Sequence, residues 1–217
     1  MSVPIVSFVG SSGSGKTTLL EKVIRELVKR GYAVGVIKHD AHGFEIDHEG
    51  KDSWRHKHAG AGAVILCSPK KFAVIKDTRK APDPSAIINS LLSDSDVVLT
   101  EGFKRHSFPK IEVLRKANSK KPVCLNDPNL LAMATDADIR TRKRLLRIDD
   151  FKGVVDLIEK DVIKKHKTRD VSLMVDGRIV PLKPFIEGML KEALLGMTRS
   201  LKGCAKAKEI ELRVKKR

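Results

Sequence analysis

The sequence predicts an α/β fold, a mainly parallel β-sheet flanked by helices, with a small C-terminal α+β extension. Three observations predict it. Short runs at Val3–Val9, Ala33–Ile37 and Val97–Thr100 are almost continuously apolar and rich in β-branched residues, as strands covered on both faces are. Between the first two lies a helical repeat, with Leu19, Leu20, Val23, Ile24, Leu27 and Val28 at one-and-four spacing. Strand–helix–strand order closes as a right-handed parallel unit. The third observation is the segment joining the first strand to that helix. Gly10-Ser11-Ser12-Gly13-Ser14-Gly15-Lys16-Thr17 matches G-x-x-x-x-G-K-[ST], between the strand and helix that this phosphate loop requires. The fold class is that of a P-loop NTPase.

The elements follow in order. The first helix runs over Thr17–Arg30, with Gly31 as its stop. After the second strand a polar stretch, Lys38–Asp52, leads into a short helix around Ser53–His58, capped by Asp52 or Ser53. Further strands are expected at Ala63–Leu66, Phe72–Lys76, Val97–Thr100, Ile111–Leu114, Pro122–Leu125 and Leu130–Ala134. A helix fits Pro84–Leu92, with proline in its first turn. Phe151–Lys165 carries Val154, Val155, Leu157, Ile158, Val162 and Ile163 on one amphipathic face, and the main domain, residues 1–167, ends after it. Residues 168–217 read as a separate β-β-α-β unit. Val171–Val175 and Arg178–Val180 flank the turn dipeptide Asp176-Gly177, Phe185–Leu201 is helical, and Lys208–Val214 is a strand running into a basic tail. So short a unit needs the main domain, or a second copy of the chain, to pack against.

Composition narrows the function classes. The 217 residues are 41% hydrophobic and 32% charged, and no apolar run is long enough to cross a membrane. The chain begins almost at once with a strand, so no cleavable leader is expected. Cys67, Cys124 and Cys204 are odd in number and far apart, which fits reduced thiols in the cytoplasm and neither a disulfide framework nor a zinc site. A net charge of +16, concentrated at Arg140–Arg147 and Lys202–Arg217, invites a nucleic-acid reading, but aromatic residues at 4% leave few stacking platforms. A basic surface receiving acidic partners or nucleotide phosphates accounts for the charge equally well.

The chemistry resides in the phosphate loop. Gly10, Gly13 and Gly15 let the backbone wrap a phosphate, so that N–H groups of Ser12, Ser14 and their neighbours point inward. Lys16 brings a positive charge to the β- and γ-phosphates, Thr17 offers its hydroxyl to magnesium, and Thr18 reaches the α-phosphate. The helix that follows adds its positive dipole end. In parallel α/β sheets ligands bind beyond the carboxyl ends of the strands. Of the two acids bounding Val97–Thr100, Glu101 therefore stands at the nucleotide edge and Asp96 at the wrong end. Glu101 is expected to hold magnesium through a water or to polarise the attacking water, with Gly102 letting the loop pass near the γ-phosphate. Asp47, in the loop after the second strand, is the other acid expected near the metal, whereas His39 and His42 read as part of a polar loop. The N-K-x-D guanine-recognition motif is missing. Asp127, in Asn126-Asp127, and Asp136, in Thr135-Asp136, are the candidates for its role.

Several separated motifs together resemble the MobB family of molybdopterin-guanine dinucleotide biosynthesis adaptors, over about Val3 to Lys167. They are Gly10–Thr18; Lys38-His39 with His42 and Asp47; Gly50-Lys51-Asp52-Ser53 with Arg55-His56 and Ala59-Gly60-Ala61; and Glu101-Gly102-Phe103-Lys104 followed by Pro109-Lys110. The resemblance implies a homodimer that binds GTP with magnesium, hydrolyses it weakly, and assists the nucleotidyltransferase MobA in joining GMP to molybdopterin. Partners would be a MobA-like enzyme and molybdopterin-loaded proteins. By position it places Gly13, Gly15, Lys16 and Thr17 on phosphate and magnesium, Asp47 and Glu101 by the metal, and Lys104, Lys110 and Arg55 toward the pterin phosphate or the partner. Slow turnover accords with the lack of an evident arginine finger or water-orienting glutamine at the switch positions. The alternative is a small-molecule kinase or general NTPase, with Arg140–Arg147 as a basic lid.

Overall fold

A computed structural model describes residues 3–40, 43–118, 121–166, 171, 173–175, 178–204, 207, 210, 212 and 214. Its centre is a six-stranded sheet. In chain order the strands are β1 (Ile5–Val9), β2 (Val34–Lys38), β5 (Val97–Glu101), β6 (Lys110–Leu114), β7 (Leu130–Thr135) and β8 (Arg144–Arg147). Their spatial order is β2-β5-β1-β6-β7-β8, and every neighbouring pair is parallel. β3 (Ala63–Ser68) and β4 (Lys71–Lys76) form a separate antiparallel hairpin, as do β9 (Leu173–Val175) and β10 (Arg178–Val180). The helices are α1 (Lys16–Lys29), α2 (Asp52–His58), α3 (Pro84–Leu91), α4 (Phe151–Ile158), which continues as a π-helical turn over Glu159–Ile163, and α5 (Pro184–Arg199).

Side-chain alternation divides the sheet into two covered faces. Val6, Phe8, Leu99, Ile111, Val113, Ala132 and Ala134 point toward α1 and α4, whose Leu19, Val23, Leu27, Val154 and Ile158 close the larger core. The other face is covered by Ile88 of α3 against Val3 and Val98, and by Cys124 against Val9, Leu114 and Met133. Within it the hydroxyls of Ser7 and Thr100 pair at 2.7 Å, so these buried polar groups are satisfied. The α1 stop is Gly31, in a left-handed conformation with φ 92°. Its N–H and that of Tyr32 turn back onto the carbonyls of Val28 and Leu27, at 3.0 and 3.1 Å. Arg30 then bonds Glu26, Asp156 and Glu159 at 2.7–2.9 Å, joining the end of α1 to α4.

Three expectations are corrected. Pro122–Leu125 forms no strand, because the N–H groups of Val123 and Cys124 are directed at the buried carboxylate of Glu112, at 2.5 and 3.0 Å, instead of at a ladder. Conversely, Arg144–Arg147, the second half of the basic run, is the edge strand β8 and pairs with β7, so that half is part of the sheet and not of a lid. An edge strand tolerates charged side chains because one side of it faces water. The α2 start has Lys51 as its cap residue with no side-chain capping bond; Ser53 turns instead to Asp47. In the C-terminal segment β10 lies against α3. The turn at Asp176-Gly177, most of Lys208–Val214, and His42 lie outside the described residues.

Candidate functional site

The carboxyl ends of β2, β5, β1 and β6 bring the predicted residues to one edge. β1 ends at Val9 and passes into Gly10, whose φ is 144° and whose added Cβ would stand 2.3 Å from the Val113 carbonyl oxygen of β6. Only glycine fits there. Gly13 and Gly15 continue the loop at φ 72° and 89°, and Gly15 is the cap residue of α1 with no side-chain capping bond. The first N–H groups of α1 are therefore left directed into the cradle. Ser14 is fully buried, and its hydroxyl has no partner among the described residues. A buried hydroxyl without a partner is costly, so its presence in this loop fits a ligand rich in acceptors.

Lys16 folds over its own loop, donating from Nζ to the Ser11 and Gly10 carbonyls at 2.8 and 3.3 Å. Burial pushes its pKa down; the Glu101 charge opposes that and the Lys38 charge adds to it. Thr17 donates its hydroxyl to Glu101, 3.0 and 3.1 Å from the two carboxylate oxygens. Strand register places Phe8, Lys38 and Glu101 side by side. Asp96 is at the opposite end of β5, where it accepts from the Ala33 N–H at 2.7 Å. Gly102, at φ 102°, donates to the Phe8 carbonyl, and an added Cβ would lie 3.2 Å from that of His39. Phe103 follows in a left-handed conformation, φ 54°, with its ring stacked on His39 at 4.6 Å between centroids. An aromatic residue at positive φ is strained, and here the strain lies two residues past Glu101. Ser12, Thr17 and Thr18 are exposed along the open side of the loop.

The remaining predicted residues are placed elsewhere or engaged otherwise. Asp47 makes no contact with Thr17 or Glu101 among the described residues. One of its oxygens accepts from Ser53 Oγ at 2.9 Å and from the His48 N–H at 3.0 Å; the other is buried without a described partner. Asp127 pairs with Lys110 at 3.0 Å and caps the Asn129 N–H at 2.8 Å, bonds that hold its carboxyl below the usual range. Asp136 accepts from the Lys116 N–H at 2.6 Å. Arg55 stays at the surface, 3.9 Å from Asp52. Lys110 cannot face a pterin phosphate. It is 0% exposed on the central strand β6, and its ammonium is held by Asp127 and by the His106 and Phe108 carbonyls. Lys104 and Arg105 do face solvent, at the rim of a cleft of about 370 Å³ lined otherwise by Pro122–Asp127. Cys124 is buried there, and burial together with Glu112 and Asp127 raises its thiol pKa. Sequence reading missed Arg115 and Asn118. The available signal was their position just beyond the carboxyl end of β6, beside β1.

Among the described residues no three His, Cys, Asp or Glu side chains converge as an all-protein metal site. The oxygen donors that meet at this edge are the Thr17 hydroxyl and the Glu101 carboxylate.

The family model of MobB, molybdopterin guanine dinucleotide synthesis protein B, matches residues 5–136. This chain belongs to the MobB family. It is 39% identical to the molybdopterin-guanine dinucleotide biosynthesis adapter protein of Haemophilus influenzae, over 77% of this chain and 94% of that one. The putative adapter protein of Methanocaldococcus jannaschii is 25% identical and aligns over 97% of both chains, so it spans the C-terminal segment as well. The crystal structure of Bacillus subtilis MobB superposes with a TM-score of 0.58 at 28% identity, covering 73% of this chain and 98% of that one. No helix among the described residues is long and apolar enough to cross a membrane.

Proposed function

We propose that this MobB-family protein binds GTP with magnesium and serves as an adaptor in maturation of the molybdenum cofactor. There it would assist a MobA-like nucleotidyltransferase in attaching GMP to molybdopterin, with molybdopterin-loaded proteins as further partners. The observation that carries the reading is the preformed cradle. Three glycines at positive φ, the uncapped start of α1, the half-buried Lys16 and the Thr17–Glu101 pair converge on one point of the sheet edge. Thr17 and Glu101 would hold the magnesium, which supplies charge neutralisation at the β- and γ-phosphates. Lys16 exchanges neutral carbonyl partners for phosphate oxygens, and Ser14 gains the acceptor it lacks. Asp47, with one buried oxygen unused, is the acid to which an outer position near the metal is assigned. Hydrolysis is proposed to be weak.

A homodimer belongs to the same reading. The β3–β4 hairpin, a two-stranded sheet among the described residues, exposes Ile65, Leu66, Phe72 and Val74, apolar surface that a second copy would cover. Sedimentation velocity at two protein concentrations checks this, and a strict monomer refutes it. For the kinase alternative, β8 takes up Arg144–Arg147, half of the basic run that would form its lid. Isothermal titration of GTP and ATP, each with magnesium, tests the central claim. A GTP preference of tenfold or more, about 1.4 kcal/mol, is expected. Equal affinity or an ATP preference would leave a general NTPase.

A further inference from the structure

The chain leaving β6 at Leu114 emerges beside Gly10, because β6 is the neighbour of β1. It then turns sharply, the Asn118 N–H donating to the Arg115 carbonyl at 2.9 Å. This turn returns the Asn118 side chain to the phosphate loop. Its amide nitrogen donates to the Ser12 carbonyl and, at 3.3 Å, to the Ser11 hydroxyl. On the next turn of the loop the Arg115 guanidinium comes within 3.7 Å of the Cβ position of Gly15, and it pairs with no carboxylate among the described residues. From the far side, Asp136 at the end of β7 holds the Lys116 N–H. The loops after three adjacent strands, β1, β6 and β7, are thereby tied in series.

The peptide plane gives this connection a consequence. In a trans peptide the carbonyl of one residue and the N–H of the next point in opposite directions. Holding the Ser12 carbonyl outward on Asn118 therefore turns the Gly13 N–H the other way, toward the cradle. We infer that residues 115–118 are a strap that sets the aim of the phosphate-loop N–H groups, with Asn118 and Asp136 as its positioning residues. Asp136, whose Oδ1 accepts the Lys116 N–H, is thereby assigned to the strap and not to the base. The inference rests on the nucleotide-binding reading above.

The test is titration of GTP and xanthosine triphosphate, with magnesium, into wild type, Asn118→Ala, Asn118→Asp, Asn118→Gln and Asp136→Asn. Dissociation of a fluorescent GTP analogue and thermal melting without nucleotide accompany it. Asn118→Ala is expected to weaken GTP binding about fivefold to tenfold, seen mainly as faster dissociation, with the melting temperature unchanged. Asn118→Asp, which sets an acceptor against the Ser12 carbonyl, should weaken it further, and Asn118→Gln should recover part of the loss. Asp136→Asn should lower affinity for both nucleotides by a similar factor. Unchanged affinity in Asn118→Ala and Asn118→Asp would overturn the strap. A swing of Asp136→Asn toward xanthosine triphosphate would overturn its positioning role, because a carboxamide reads the 2-oxo group that a carboxylate repels. Wild type that binds neither nucleotide would instead overturn the underlying reading, together with this one.

Discussion

Lys16 and Lys110 both point their ammonium groups at backbone carbonyls, yet they serve opposite ends. Lys110 is sealed at 0% exposure, and Asp127 at 3.0 Å supplies the counter-charge that makes its burial tolerable. Among the described residues Lys16 has the neutral carbonyls of Gly10 and Ser11 as its hydrogen-bond partners; burial pushes its pKa down, and the nearby Glu101 charge opposes that. One cation is sealed against a carboxylate inside the fold, and the other is bonded to neutral carbonyls at an open edge. The difference teaches that a lysine on this edge is a candidate site residue when it is left partly open with no direct carboxylate bond among the described residues, and not when the fold seals it against one.

The largest expected effect is on the sealed lysine. Lys110→Ala empties a fully buried position on β6, takes the ammonium from the His106 and Phe108 carbonyls as well as from Asp127, and should cost about 2–4 kcal/mol in urea unfolding. A loss below about 1 kcal/mol would break the comparison. Lys16→Ala should do the reverse, lowering GTP affinity about 100-fold or more while circular dichroism and the melting temperature stay near wild type. Retained binding in that variant would remove Lys16 from the site. The smallest effect concerns pH. Asp127 has its folded pKa held below the usual value by Lys110, so its contribution to stability is complete above about pH 4 and is lost as pH falls through the lowered pKa. Asp127→Asn should therefore flatten the fall in stability below about pH 4 and leave the GTP-to-ATP preference unchanged, a point that calorimetry checks. A lost preference would return Asp127 to the base site.

Much of the site was legible because its chemistry is local. The phosphate loop needs glycines at set positions between a strand and a helix, and Gly10, Gly13 and Gly15 carry the positive φ values that such a loop requires. The place of Glu101 was legible for a directional reason: it stands at the carboxyl end of a parallel strand, and there the Thr17 hydroxyl meets it. Asp127 and Asp136 were read only as acids after strands. What each carboxylate bonds depends on chain far from it, on Lys110 for one and on the Lys116 N–H for the other. Asn118 was passed over because nothing in Arg115-Lys116-Ala117-Asn118 differs locally from an ordinary turn.

By itself, then, the sequence determined the phosphate loop, the amphipathic helices and their stops, and the run of buried strands around them, since these follow from backbone sterics and hydrophobic period within a few residues. The tertiary structure alone decided that Pro122–Leu125 gives up strand pairing to satisfy the buried Glu112, that Arg144–Arg147 completes the sheet edge, and that Lys110 is sealed while Lys16 stays open. Those outcomes turn on the desolvation of charges and the pairing of backbone groups across long chain separations, which no local pattern of residue types specifies.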